Sequence, residues 1–442
     1  MRVKLPRYSK YKDSGVKWMG EVPEHWEFKA LKYLATLNDD ELSENTASDY
    51  EISYVDIGSV SLESGIEKTE TMCFADAPSR ARRKVREGDV LVSTVRTYLK
   101  AICSISHPPD NLVVSTGFSV VRPRKCLSPR FAHYALQSQT FVDNVIARST
   151  GVSYPAINPT ELQRIHLPLP SLPEQELIAD HLEGETYKLD ALVNEQRRLI
   201  DLLKEKRQTA ISDAVTKGLN PDTAMKPSGI AWIGDIPSHW DVERTRWLLK
   251  ERDERSETGD EEMLTVSHLT GVTPRSEKNV TMFEAETNEG YKLCHAGDLV
   301  INTLWAWMGA MGVAPIFGMV SPAYNVYVPG KRILPSYVDS LVRMPLFAQE
   351  VIRYSKGVWT SRLRLYPEGL YQAFWPVPPL GEQKEIAKYI ASESSRIDSL
   401  MLEANKSIEL LQEHRSTLIS NAVTGQIDVR KYRPQEASAV CQ

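Results

Sequence analysis

The chain repeats itself, and that repeat constrains the number and kind of its folding units. Ser14-Gly15-Val16-Lys17-Trp18-Met19-Gly20-Glu21-Val22-Pro23-Glu24-His25-Trp26 returns as Ser228-Gly229-Ile230-Ala231-Trp232-Ile233-Gly234-Asp235-Ile236-Pro237-Ser238-His239-Trp240, with seven of thirteen positions identical. Gly88-Asp89-Val90-Leu91-Val92-Ser93-Thr94 returns as Gly297-Asp298-Leu299-Val300-Ile301-Asn302-Thr303, and Leu167-Pro168-Leu169-Pro170 as Trp375-Pro376-Val377-Pro378. Glu174–Thr216 then aligns without a gap onto Glu382–Thr424, with 19 of 43 residues identical. The offset between copies is 214 at the tryptophan motif, 209 at the Gly-Asp motif, 206 at Gly151/Gly357 and 208 through the last segment. The ends of each copy keep their frame, while the middle has gained and lost residues. A preserved scaffold with a changed face predicts two binders of similar shape and different specificity.

The gapless segments read as long helices. Ser171-x-x-Glu174 resembles a capping box, no proline follows Pro173 until Pro221, and Gly218 stands where a helix should stop. Ile178, Leu182, Leu189, Leu192, Leu199, Leu203 and Ala210 fall on a 3-4 seam, interrupted by Glu185, Gln196 and Lys206. The second copy offers Ile386, Ile390, Ile397, Leu400, Ala404, Leu411 and Leu418, interrupted by Glu393, Ser407 and His414. Two such seams can pair with each other, as rods of roughly 65 Å at ~1.5 Å per residue. A spacer and an ordinary core or dimerisation helix both fit this pattern.

Composition narrows the class. At roughly 100–200 residues per domain, 442 residues predict two to four domains. Apolar residues at 42% and charged residues at 25% describe a globular chain, and a net charge of −5 excludes a uniformly basic protein. Cys73, Cys103, Cys126, Cys294 and Cys441 are scattered, which predicts reduced thiols and a cytoplasmic location. The basic N-terminus has no apolar signal core behind it. Leu299 to Gly330 carries no charge and raises the question of a membrane span; its counterpart contains Arg96 and Lys100, so buried strands are expected instead.

Catalytic signatures are missing from the sequence. There is no Gly-x-Gly, no P-loop, no Gly-x-Ser-x-Gly and no histidine pair at metal spacing. Neither Pro-Pro pair, His107-Pro108-Pro109-Asp110 or Val377-Pro378-Pro379-Leu380, is the Asn/Asp-Pro-Pro-Tyr/Phe of amino-methyltransferases. A hydrolase triad assembled from distant residues stays open as an alternative.

Charge is segregated along the first copy. Glu21–Asp76 carries 3 basic against 14 acidic residues, and Ala77–Thr160 carries 12 against 4. In the second copy, Lys331–Arg364 carries 7 against 2. Basic blocks can neutralise phosphates even in an acidic chain. Arg80, Arg82, Arg83, Lys84 and Arg86 fit such a block or a merely solvated face. Arg96, Thr97, Tyr98 and Lys100 follow an apolar strand, and Arg148, Ser149, Thr150, Ser153 and Tyr154 surround a turn glycine. With Arg122, and with Lys356, Trp359, Thr360, Arg362 and Arg364 of the second copy, they form the candidate DNA-binding set. Trp305 and Trp307, at the positions of Arg96 and Tyr98, are read as core, with base stacking as the alternative. Trp18, Trp26, Trp232 and Trp240 are read as structural. No catalytic or metal-binding residue is assigned.

Gly15-x-x-Trp18-x-Gly20-x-x-Pro23-x-x-Trp26, the Gly88-Asp89-Val90-Leu91 strand, Pro168-Leu169-Pro170-x-x-Pro173-Glu174-Gln175 at the entry to a long helix, and the doubling of all three resemble the DNA-specificity subunit of a type I restriction-modification system. The likeness runs over roughly residues 10 to 430. It implies an α+β fold: two globular mixed α/β target-recognition domains separated by two long antiparallel coiled-coil helices, with an internal pseudo-twofold repeat. The expected divisions are 1–165 and 221–373 for the recognition domains, 166–220 and 374–430 for the helical spacers, and 431–442 for a tail. The resemblance implies a non-catalytic reader of a bipartite double-stranded DNA target. Its partners would be two methyltransferase subunits and two restriction/translocase subunits. No cofactor is expected on this chain; S-adenosylmethionine, ATP and Mg would sit on the partners. The second copy lacks an arginine at the position of Arg96, and Gly381 replaces the proline matching Pro173, so contacts are not transferred between copies. The competing class is a coiled-coil protein-binding scaffold without DNA specificity.

Overall fold

The computed structural model describes residues 6–16, 18–151, 154–277, 287–357 and 363–430. The chain divides into two compact units, residues 1–196 with 406–442, and residues 197–405. Both divisions fall inside the two long helices, Leu172–Lys217 and Leu380–Val423. Each unit therefore contains the start of one long helix and the end of the other.

In the first unit the central sheet is antiparallel, in the order Ile102–Ser104, Val90–Ser93, Phe118–Pro123, Ala35–Leu37. Val90–Ser93 is buried throughout. Alternation sends its side chains to two different cores. Val90 and Val92 pack with Phe131 and Leu136 of helix Pro129–Gln137, and with Ile178, Leu182, Ile419 and Val423 of the long helices. Leu91 packs with Phe118, Val55 and Val114 on the other side. That second layer is a four-stranded sheet in which Glu51–Val55 and Leu112–Ser115 run parallel.

The second unit repeats the central sheet in the same spatial order: Met311–Val313, Leu299–Asn302, Tyr324–Pro329, Leu249–Arg252. Leu299 and Ile301 face Tyr337, Phe347 and Trp375, together with Ala214, Val215, Ile386 and Ile390. Val300 faces the opposite core with Leu264, Val272 and Val320. Among the described residues, the second layer here consists of two separate two-stranded pairs. The uncharged stretch is strands and turns, as expected, and no described helix is long and apolar enough to cross a membrane.

The repeated motifs are joints. Glu174 accepts hydrogen bonds from Tyr8 Oη at 2.8 Å and from His25 Nε2 at 3.0 Å. Glu382 receives His239 Nε2 at 2.6 Å and Trp240 Nε1 at 2.9 Å. Glu174, expected in a capping box, thus ties the tryptophan motif to the first turn of the helix. Buried Gln175 accepts from the Ser128 N–H and donates to the Cys126 and Pro170 carbonyls; Gln383 does the same with Leu334, Arg332 and Pro378. Gly218 ends the first long helix with φ +76°, and a Cβ there would press on Trp240. Gly425 at φ +72° stands in the same way against Pro23 and Trp26. Trp26 and Trp240 are fully buried.

Within each unit the long-helix segments run antiparallel, tied by Asp190–Arg415 at 3.0 Å in the first and Arg207–Asp398 in the second. The seam differs from its expected course. Val193 and Ile200 are buried where Leu192 and Leu199 had been placed, and those leucines are exposed. Leu400 is exposed too, while Ile397 and Ala404 are buried. A 3.6-residue helix drifts against a 3.5-residue pattern, and a one-residue slip repairs the match.

Candidate nucleic-acid interface

The strand Val90–Ser93 ends in a rigid corner. Thr94 donates from both N and Oγ1 to the Gly117 carbonyl at 2.8 Å, and its own carbonyl accepts the Ile157 N–H at 2.8 Å. Beyond it, the short 3-10 turn Thr97–Leu99 is bracketed by two non-glycine residues in the left-handed region, Arg96 at φ +50° and Lys100 at φ +53°. Each such residue costs on the order of 1 kcal/mol or more and persists only where surrounding contacts enforce it. Buried Thr97 supplies one such contact, with Oγ1 2.9 Å from Ser149 Oγ, which itself donates to the Val145 carbonyl.

The turn presents side chains to water. Tyr98 is 52% exposed, and Tyr154 is 66% exposed with the Arg96 guanidinium 5.0 Å from its ring centroid. Lys100 Nζ donates to Gln139 Oε1 at 3.3 Å. Thr150 and Ala156 exchange backbone hydrogen bonds at 2.9 Å, closing the hairpin loop that carries Tyr154. Arg96, Thr97, Tyr98, Lys100, Ser149, Thr150 and Tyr154 therefore share one corner. Arg148 is adjacent and pairs with Glu161 at 3.1 Å. Among the described residues, neither Arg96 nor Lys100 meets a carboxylate. Ser153, Trp359, Thr360 and Arg362 lie outside the described residues.

Arg122 stands elsewhere. The register Ser93–Phe118 and Val90–Val121 puts it at the opposite end of the strand pair. Its Nε and Nη2 bond both oxygens of Asp89 at 2.8 Å, and Nη1 bonds Asp40 at 2.6 Å. Hydrogen bonding to Arg122 holds the Asp40 carboxyl below its ordinary range. Three more arginines of the basic block are also partnered: Arg80 with Asp56, Arg83 with Glu41 and Arg86 with Asp40. Charge that is segregated along the sequence is thus recombined in space. The linear count could not show which carboxylates would fold back onto these arginines.

The second unit builds the same corner with other side chains. Leu365 N–H donates to the Thr303 carbonyl at 3.1 Å, matching Ile157 on Thr94. Lys356 and Arg364, both exposed, exchange backbone hydrogen bonds at 2.9 Å and close the neighbouring loop. Trp305 occupies the place of Arg96 and is 50% exposed, its ring stacked on Trp307 with centroids 6.3 Å apart and planes 17° apart. The placement of Trp305 in the core is therefore corrected: the turn after the strand carries it outward. Its offset match to Arg96 was the sequence signal for an exposed position. Among the described residues, no group of acidic, histidine and cysteine side chains could hold a metal ion.

Residues 23–200 match the family described as the type I restriction modification DNA specificity domain. The chain is 24% identical over 429 residues, 93% of its length and 96% of the relative's, to a putative type I restriction enzyme MjaX specificity subunit of Methanocaldococcus jannaschii. It is 20% identical over 339 residues, 73% of its length and 70% of the relative's, to the EcoKI specificity subunit of Escherichia coli K12. Among solved structures, a chain from work on complex assembly and conformational transition of the type I R-M system superimposes with TM-score 0.68 at 20% identity, covering 92% of this chain and 99% of that one. The HsdS subunit from Thermoanaerobacter tengcongensis does so with TM-score 0.50 at 21% identity, covering 92% and 98%. These structural likenesses concern the fold.

Proposed function

We propose that this chain, a member of the type I restriction-modification DNA-specificity family, reads a two-part double-stranded DNA target, one half with each compact unit. The observation that carries this reading is the pair of corners. Each ends the same Gly-Asp strand and is held by the same backbone hydrogen bond, yet one presents Arg96 on Tyr154 and the other Trp305 on Trp307. An identical frame with different tips suits two readers of different sequence.

In the first unit, Arg96, Tyr98, Lys100 and Tyr154 are assigned to DNA, with Thr97 and Ser149 holding the turn. Arg96 can reach a guanine edge and Lys100 a phosphate. Arg148 and Thr150 flank them. In the second unit, Lys356 and Arg364 are assigned to phosphates. Arg122 is assigned to stability instead. The long helices, which pass from one unit into the other, set the gap between half-sites. The chain carries no catalysis in this reading. Two methyltransferase subunits would supply S-adenosylmethionine chemistry on adenine, and two restriction/translocase subunits would supply ATP-driven cleavage. A protein-binding scaffold explains the helices but not the two exposed, differently equipped corners.

The test is methylome sequencing of a host that carries the chain with its methyltransferase partner. A bipartite motif with methylated adenine is expected. Methylation without a sequence motif, or a continuous unsplit one, contradicts the reading.

A further inference from the structure

We infer that Trp305 determines specificity in the second half-site by packing its exposed ring against the 5-methyl group of a thymine. This rests on the two-reader assignment above. The turn that carries Trp305 is fixed before any ligand arrives. Trp305 N–H donates to the Asn302 carbonyl at 3.1 Å, and its carbonyl accepts the N–H groups of Met308 at 3.0 Å and Ala310 at 3.1 Å. Trp307 Nε1 donates to the Leu304 carbonyl at 3.0 Å, and its ring backs Trp305 from one side. A tryptophan held half in water by its own backbone, with a second indole stacked beside it, is preorganised for an apolar contact.

The chemistry of that contact follows from charge. Leu299 to Gly330 contains no charged residue, so the turn itself offers no cation to a phosphate. Lys356 and Arg364, on the loop next to it, can hold the backbone instead. What an indole face can recognise on a base edge in the major groove is apolar, and the thymine methyl is the apolar group there. The corresponding position of the first unit is Arg96, a hydrogen-bond donor. The two halves of the target should therefore be read by contacts of different kinds, the second through a thymine methyl.

The experiment uses the full chain assembled with its methyltransferase partner and its methylated motif as a duplex. Each thymine in both half-sites is replaced in turn by uracil, which removes only the methyl. One replacement in one half-site should weaken binding by about fourfold, the factor gained by burying one methyl group. With Trp305→Ala, that replacement should have no further effect, while discrimination of the other half-site persists and shows that the chain is folded. Trp305→Phe should restore part of the sensitivity. The inference is overturned if no replacement in the half-site read by the second unit matters, or if sensitivity survives Trp305→Ala. Absence of any two-part motif would instead remove the two-reader assignment itself.

Discussion

Arg122 grips Asp89 with two parallel hydrogen bonds of 2.8 Å, and Asp89 is almost wholly buried. The equivalent aspartate, Asp298, is also buried and also takes an arginine, at 2.8 Å, but that arginine is Arg252. Arg122 lies on the strand next to the Gly-Asp strand; Arg252 lies on the strand beyond it. Each aspartate also accepts a backbone N–H three residues before it, from Arg86 at 2.8 Å and from His295 at 2.7 Å. The buried carboxylate is a fixed requirement of the frame, and the two copies meet it from different strands.

Removing that carboxylate takes two of the hydrogen bonds of Arg122, which keeps Asp40, and leaves the Arg86 N–H unpaired. Asp89→Ala should cost about 3 kcal/mol, seen as a lower urea midpoint, and Asp298→Ala should do the same in the second unit. A change within about 0.5 kcal/mol would show that the pair is dispensable.

Arg96 and Arg122 should separate cleanly. Arg96→Ala should weaken binding of the assembled complex to its target by ten- to a hundredfold, about 1–3 kcal/mol for a base contact, with little change in thermal stability. Arg122→Ala should lower stability first. If Arg122→Ala keeps its melting temperature and loses binding, the assignment of the two arginines is reversed.

Gln175 and Gln383 each satisfy three buried backbone groups at the joint between sheet and helix. Gln175→Ala should cost about 2–3 kcal/mol by leaving such groups unpaired. Hydrogen exchange should report the loss in the first unit for Gln175 and in the second for Gln383.

His133 gives the first unit an acid sensitivity. Burial pushes its imidazole down to about 4, and the charge of Arg415 acts in the same direction. Above about pH 6.5 the ring is neutral in both states and stability is unaffected. As pH falls from there toward 4, the unfolded chain takes up the proton and the folded chain does not, so stability drops, by on the order of 2 kcal/mol. His133→Leu should flatten the dependence of the urea midpoint between pH 7 and pH 5. An unchanged slope would mean that the ring is solvated.

The frame was legible because repetition marks what cannot change. His25, Trp26, Glu174, Gln175 and Asp89 recur as His239, Trp240, Glu382, Gln383 and Asp298, and each proves to be a joint. What was not legible is pairing across the fold. Arg122 looked like a free cation because Asp89 and Asp40, 33 and 82 residues away, face it only after folding. Trp305 looked like core because an indole in an uncharged stretch usually is; the turn geometry that exposes it depends on hydrogen bonds invisible in a linear reading. The second layers diverged too far between copies for register to guide them, one becoming a single sheet and the other, among the described residues, two strand pairs.

Each unit should read its half of the target independently of the other. The most direct measurement exchanges residues 30–160 for those of another specificity subunit and sequences the methylome again. The expected result is a motif in which one half has changed and the other half and its adenine are preserved. A motif altered in both halves, or in neither, contradicts it.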